Sequence, residues 1–261
     1  MTKQITTGII AVAMIAIIGW YFYQNRPAQD LSPSIAGGEV VPLGSETVNV
    51  DLASSTGTNA RNISKKPSVE RAIPGNTINL DASYRERIIS DLNKTIAALK
   101  KDESSYQDWI YLGLYWKILG DFEGAKEVWN YATTLAPSEE VAYINLANLY
   151  DLSLKNYAQA EIYYKKGLAM NPANTDTYRN LHEMYRYRYK QTTNEAENAL
   201  KSGIERNPEA LDLYVMLARF YAETGRAAEA RAEYDLAIAL AKKQGNASIA
   251  AELEKEKGSI K

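Results

Sequence analysis

Apolar residues recur at three- and four-residue spacing from residue 84 onward. Between residues 84 and 100 the apolar positions are Ile88, Ile89, Leu92, Ile96 and Leu99. This spacing places them on one side of a helix, so the segment is predicted to form an amphipathic α-helix. No strand-like alternation of comparable length follows it. The pattern therefore predicts an all-α fold for this part of the chain.

A longer pattern repeats about every 35 residues from residue 106 onward. Each unit opens on an aromatic residue, at Trp109, Tyr143, Tyr178 and Tyr214. A leucine follows three positions later, and a second aromatic residue follows seven positions later. A small residue then marks a close contact between two helices, at Ala125, Ala160, Ala196 and Ala230. Proline closes the first three units, because it cannot continue a helix.

This pattern resembles the tetratricopeptide repeat, in which W-x2-L-G-x2-Y, A-x3-F and a final proline recur with a period of 34 residues. The resemblance covers about residues 106–243. The second and third units carry one and two extra residues between their helices. The resemblance implies a right-handed superhelical solenoid of about four helix pairs, because each pair buries its apolar face only by stacking on its neighbours.

The chain is predicted to have three regions. Residues 1–23 form a transmembrane anchor, residues 24–83 a flexible low-complexity linker, and residues 84–261 the solenoid. The repeats are expected at about 106–139, 140–174, 175–210 and 211–244, with capping helices at about 84–101 and 247–257.

Residues 5–23 form an uncharged apolar run of 19 residues. As a helix this run is about 28 Å long, which matches the hydrocarbon thickness of a bilayer. It ends in Trp20, Tyr21, Phe22 and Tyr23, a cluster that is typical of the headgroup level. A cleaved signal peptide is the alternative, but its apolar part is shorter and small residues follow it. An uncleaved anchor is therefore favoured.

The orientation of this anchor depends on a single charge. Lys3 precedes the apolar run, and Arg26 is the only basic residue in the 35 residues after it. The positive-inside rule then places the N-terminus in the cytoplasm and the solenoid outside it, in a periplasm or at the cell surface. The reverse topology, with a solenoid that faces the cytoplasm, is the alternative.

Composition excludes several kinds of chemistry. The chain has no cysteine and a single histidine, His182, so disulfides, thiolate zinc sites and sites with two imidazoles are excluded. With 30 basic and 32 acidic residues it has no excess of positive charge for nucleic acid, although residues 185–190 read YRYRYK. No catalytic motif is present, so neither catalysis nor a cofactor is expected. His182 is expected to be structural.

In the family that the chain resembles, the first helix of each pair lines a concave groove that holds a peptide or a helix of a partner. The resemblance assigns partner contact to Asn145, Asn148, Arg179, Asn180, Glu183, Arg186 and Arg219. A side-chain amide both donates to and accepts from a peptide backbone, and arginine binds a carboxylate with two parallel hydrogen bonds. The alternative is that these are solvated residues whose charges pair with one another.

Members that bind C-terminal carboxylates use lysine and asparagine in their first unit. Ile110 and Leu114 stand at the corresponding surface here, so that arrangement is incomplete. The sequence therefore predicts a non-catalytic scaffold that is tethered to the membrane and binds a protein partner for assembly of an envelope complex. Two alternatives remain, a cytoplasm-facing adaptor and a solenoid that associates with itself as a homo-oligomer.

Overall fold

The computed structural model describes residues 66–76 and 78–260. In these residues the regular secondary structure consists of ten α-helices and one π-helical turn, without a strand. The α-helices are α1 Ala82–Leu99, α2 Tyr106–Leu119, α3 Phe122–Leu135, α4 Glu140–Asn148, α5 Tyr157–Met170, α6 Thr175–Tyr187, α7 Glu195–Arg206, α8 Leu211–Glu223, α9 Ala227–Lys243 and α10 Ala247–Gly258. The predicted all-α fold is confirmed for this part of the chain.

The helices pack as consecutive pairs. Helices α2 and α3, α4 and α5, α6 and α7, and α8 and α9 make the most extensive contacts, while α1 packs on α2 and α10 packs on α9. We call α2, α4, α6, α8 and α10 the first-helix layer, because side chains join them in this order. The second helices form a layer of their own, in which Tyr163 of α5 donates to Asn130 of α3 at 2.9 Å.

Short polar residues start several of these helices. Asp121 accepts a hydrogen bond from the backbone N–H of Gly124 at 2.8 Å, and Asn174 accepts one from Thr177 at 3.0 Å. Such N-caps satisfy backbone donors that have no partner inside the helix. Helix α2 is followed by the C-cap residue Gly120, whose φ of 88° lies in the left-handed region that favours glycine. A tight turn to α3 follows from this ending.

The repeated aromatic and small residues form the core. Trp109, Trp116, Trp129 and Tyr164 are completely or almost completely buried, and alanine lies at the four predicted small positions. A Cβ atom on Gly113 would lie 2.3 Å from Nε1 of Trp129. That nitrogen donates to the carbonyl of Ile110 at 3.1 Å. Glycine therefore allows α2 and α3 to approach each other over the indole ring.

The extra residue of the second repeat coincides with a change of helix type. Helix α4 continues as a π-helical turn, Leu149–Ser153, which accommodates one residue more than an α-helical turn does. The turn holds Asp151 in the interior, where its side chain is 1% exposed. Lys155 then adopts a φ of 51° in the loop before α5. The insertion thus places a carboxylate between the second and third repeats.

Residues 66–76 and 78–81 precede α1 and contact the N-terminal end of the solenoid. Arg71 forms ion pairs with Asp121 and Glu127, both at 2.7 Å. Val69 and Leu80 pack against the apolar core of the first repeat. The described end of the predicted linker is therefore attached to the solenoid by charged and apolar contacts.

The predicted anchor at residues 5–23 lies outside the described residues, as does the linker up to residue 65. Among the helices that the structure describes, none combines the length and the apolar character that a bilayer-spanning helix requires.

Candidate protein-binding face

All seven residues that were assigned to partner binding lie in the first-helix layer. Helix α4 carries Asn145 and Asn148, helix α6 carries Arg179, Asn180, Glu183 and Arg186, and helix α8 carries Arg219. They differ in how far their polar groups are already engaged inside the protein. This difference separates groups that hold the repeats together from groups that are open to a partner.

Asn148 and Asn180 bind each other. The amide oxygen of Asn148 accepts hydrogen bonds from the hydroxyl of Tyr164 at 2.7 Å and from the amide nitrogen of Asn180 at 3.3 Å. An amide oxygen has two lone pairs, so both acceptor positions of Asn148 are occupied. These two asparagines connect α4 to α6.

The three arginines that were assigned to the groove form ion pairs between successive first helices. The pairs are Arg179 with Asp212, Arg186 with Glu223, and Arg219 with Glu256. Arg219 binds both oxygens of Glu256, at 2.8 and 3.0 Å. Glu183 also has an interaction partner. The charges of this part of the layer are therefore largely neutralised within the protein.

Asn145 differs from these residues. It is half-buried on α4, and its side-chain amide forms no hydrogen bond in the part of the chain that the structure describes. Both its donor and its acceptor group are therefore available to a ligand.

Apolar side chains occur on the same helix as this free amide and on the preceding first helix. Tyr111 and Leu114 of α2 are half-buried, and Val141 of α4 is 40% exposed. Tyr111 and Asn145 hold the same position in their repeats, two residues after the leading aromatic residue, so they point to the same side of the layer. We call Tyr111, Leu114, Val141 and Asn145 the α2–α4 face. Of these four residues, the sequence had assigned only Asn145 to partner contact.

The run YRYRYK serves the contacts between repeats. Tyr185 is buried, and Arg188 forms two hydrogen bonds of 2.7 Å with the carboxylate of Asp151. Lys190 pairs with the carboxylate of Glu161 at 3.0 Å. Arg186, the first arginine of the run, pairs with Glu223. All three cations of the run therefore form ion pairs with carboxylates of the protein.

His182 is a buried residue of α6. Its Nδ1 atom lies 2.9 Å from the carbonyl oxygen of Ala196, so Nδ1 carries the proton and donates it. The ring also meets the edge of Phe220, with the centroids 5.4 Å apart. Burial lowers the pKa of His182 below its ordinary value.

Because His182 resists protonation in the folded state, stability is expected to decrease as the pH falls. The unfolded chain takes up the proton near pH 6.5, so the free energy of unfolding falls as the pH drops below that value, by at most about 1.4 kcal/mol per pH unit. His182→Asn retains a donor near Ala196 and should remove this dependence. Urea unfolding between pH 7.5 and 5.5 measures both proteins. An equal slope in the variant would show that another group is responsible.

In the described part of the chain, no group of three or more His, Asp or Glu side chains is placed to hold a metal ion. The first-helix layer consists of packed helices with a small apolar face, and it offers a partner hydrogen bonds and burial of apolar side chains.

Two family models of the tetratricopeptide repeat match the chain, over residues 141–174 and 190–252. The chain therefore contains tetratricopeptide repeats, as its sequence pattern predicted. No curated protein sequence matches it.

Several solved structures have a similar fold at low sequence identity. A structure of MamA is 20% identical with a TM-score of 0.48, covering 64% of this chain and 98% of MamA. TTC0263, a TPR protein of Thermus thermophilus, is 21% identical with a TM-score of 0.45, covering 68% and 92%. YrrB, described as a TPR protein with an unusual peptide-binding site, is 17% identical with a TM-score of 0.43, covering 64% and 92%. These likenesses concern the fold alone.

Proposed function

We propose that this protein is a non-catalytic interaction scaffold that binds a protein partner through the α2–α4 face. The observation that carries the proposal is the contrast along the first-helix layer. Beyond α4 the polar groups pair with one another, as Arg219 does with Glu256. The α2–α4 face combines the amide of Asn145, which has no hydrogen-bond partner among the described residues, with the half-buried Tyr111 and Leu114 and the exposed Val141.

Such a face suits a protein segment better than a small molecule. Tyr111 and Leu114 provide apolar area with restricted side-chain freedom, and interfaces take most of their binding energy from a few residues of this kind. Asn145 adds a side-chain amide that can form hydrogen bonds with the backbone or a side chain of the partner. The paired arginines of α6 and α8 serve as structural links between repeats.

The proposed scaffold is tethered to a membrane by residues 5–23, with its N-terminus in the cytoplasm and the solenoid on the other side, where it assembles an envelope complex. The uncharged run of 19 residues and its terminal aromatic cluster support the tether. Protease added to intact spheroplasts tests the orientation. Digestion of the solenoid supports export, and complete protection contradicts it.

Partner binding is tested by in-cell crosslinking with mass spectrometry. The variant Tyr111→Ala, Val141→Ser, Asn145→Ala is expected to weaken recovery of the native partner at least about tenfold, because it removes two apolar contacts and the free amide. It leaves the buried tryptophans and the ion pairs between repeats intact, so we expect it to fold.

The matched control replaces paired residues of the same layer. Arg179→Ala, Arg219→Ala changes the surface of α6 and α8 and should leave recovery of the partner nearly unchanged. If the control variant loses the partner while the α2–α4 variant retains it, the face is misassigned. Crosslinks between two copies of the chain at this face would indicate self-association instead.

A further inference from the structure

Among the residues that the structure describes, Lys117 of α2 has no counterion. It is half-buried, and its ammonium forms no hydrogen bond or ion pair with any residue in the described ranges. Lys117 comes eight residues after Trp109, as Arg186 comes eight residues after Tyr178. Arg186 pairs with Glu223, which lies 37 residues further along the chain. Glu223 comes nine residues after its leading aromatic residue Tyr214, and the residue nine positions after Tyr143 in the second repeat is Leu152.

An apolar side chain therefore stands where the carboxylate partner would be expected. Leu152 is an apolar side chain that is 57% exposed, and it offers no acceptor to the ammonium. Burial lowers the pKa of Lys117, with no acidic group to oppose the effect. A charge that is partly removed from water without a partner is unfavourable, and a carboxylate placed beside it offsets that cost.

We propose that the α2–α4 face binds a protein segment that carries bulky apolar side chains and an aspartate or glutamate, whose side-chain carboxylate pairs with Lys117. This inference rests on the proposed function, because it names the chemistry of the partner at the same face.

The partner's carboxylate belongs to a side chain and not to a chain end. Along the first helices, exposed apolar residues lie before the level of Lys117 and at that level. Val141 is 40% exposed near the start of α4, and Leu152 is 57% exposed in the turn that follows this helix. A segment that covers both residues lies along Lys117, so a side chain of that segment reaches the ammonium without the chain having to end there.

Selection from two libraries of short random peptides tests this inference with the complete chain as the target. In one library the peptides are held between constant segments, and in the other they have a free C-terminus. The first library is expected to yield peptides that combine aspartate or glutamate with leucine, phenylalanine or tyrosine. Recovery of binders only from the second library would overturn the assignment to a side chain.

Variants of Lys117 then distinguish the contribution of its charge to peptide binding from that of its side-chain shape. Lys117→Met should weaken the binding of a selected acidic peptide about tenfold, which corresponds to about 1.4 kcal/mol. The same substitution should not change the binding of that peptide when its carboxylate is replaced by an amide. Lys117→Arg should retain binding, and Lys117→Glu should select basic peptides. Lys126→Met, which changes a paired cation of α3, is the control.

The two proposals fail differently. If Tyr111→Ala, Val141→Ser abolishes binding while Lys117→Met leaves acidic and amide peptides equal, the face is correct and the acidic partner is wrong. If the selected peptides are indifferent to Tyr111 and Val141, or if no peptide is selected, both proposals are contradicted.

Discussion

Replacing Arg188 with methionine is expected to lower the free energy of unfolding by about 3–5 kcal/mol, because it leaves a buried carboxylate without its partner. The side chain of Asp151 is 1% exposed, and Arg188 binds both of its oxygens at 2.7 Å. Within the described ranges, the carboxylate has one further hydrogen-bond partner, the hydroxyl of Tyr164 at 3.4 Å. Urea unfolding followed by circular dichroism measures the loss.

An exposed pair in the same layer provides the control. Arg219 and Glu256 have side chains that are 52% and 37% exposed, so Arg219→Met should cost less than about 1 kcal/mol. The double variant Asp151→Leu, Arg188→Met removes both charges and should recover most of the loss. Equal effects of Arg188→Met and Arg219→Met would show that the pair with Asp151 does not connect the second and third repeats as described.

Gly113→Ala is expected to destabilise the solenoid by about 1–3 kcal/mol, because the added methyl group enters space that an indole ring occupies. The new Cβ atom would lie 2.3 Å from Nε1 and 2.6 Å from Cε2 of Trp129, a buried side chain that cannot move aside freely. Displacing the ring would also break its hydrogen bond to Ile110. Thermal unfolding of the purified chain reports the change.

Gly258→Ala is the matched control, since nothing lies within 4 Å of a Cβ atom at this end of α10. Alanine has the higher helix propensity, so this change should be neutral or slightly stabilising. A neutral Gly113→Ala would mean that α2 and α3 are packed less closely than the structure has them.

The packing inside each repeat could be predicted from the sequence, because it depends on the spacing of apolar and small residues along each helix. Trp109 and Trp116 are seven residues apart on one helix, and Ala125 lies at the small position of the next helix. Such intervals determine which side of a helix is buried, wherever the helix lies in the superhelix. The predicted core residues of the first repeat are accordingly buried.

The contacts between repeats could not be predicted from the sequence in the same way. Arg186 and Glu223 are 37 residues apart, and so are Asp151 and Arg188, although the leading aromatic residues are 34 to 36 apart. The pairing depends on how one repeat is rotated onto the next and on where the π-helical turn takes up the extra residue. Sequence reasoning therefore left open whether these arginines bind a partner or pair internally.

The side chains that are open to a partner could be identified only once the internal hydrogen bonds and ion pairs of their neighbours were known. Asn145 and Asn148 are equivalent candidates in the sequence, but Asn148 is bonded to Tyr164 and Asn180 while Asn145 has no bonded partner in the described chain. Likewise, Lys117 differs from Arg186 because a leucine replaces the carboxylate of the following repeat. Whether a side chain lacks a hydrogen-bond or ion-pair partner depends on the folded arrangement, so no sequence motif indicates it.

Site-specific photo-crosslinking in cells tests the central claim most directly. A photoreactive amino acid is placed at Tyr111 or Val141, and in the comparison at Ile162 or Leu236, which are 45% and 53% exposed on the second helices. Positions 111 and 141 are expected to capture the same protein partner, and positions 162 and 236 are expected not to capture it. Capture of the partner from 162 and 236, with none from 111 and 141, would contradict the α2–α4 face as the binding site.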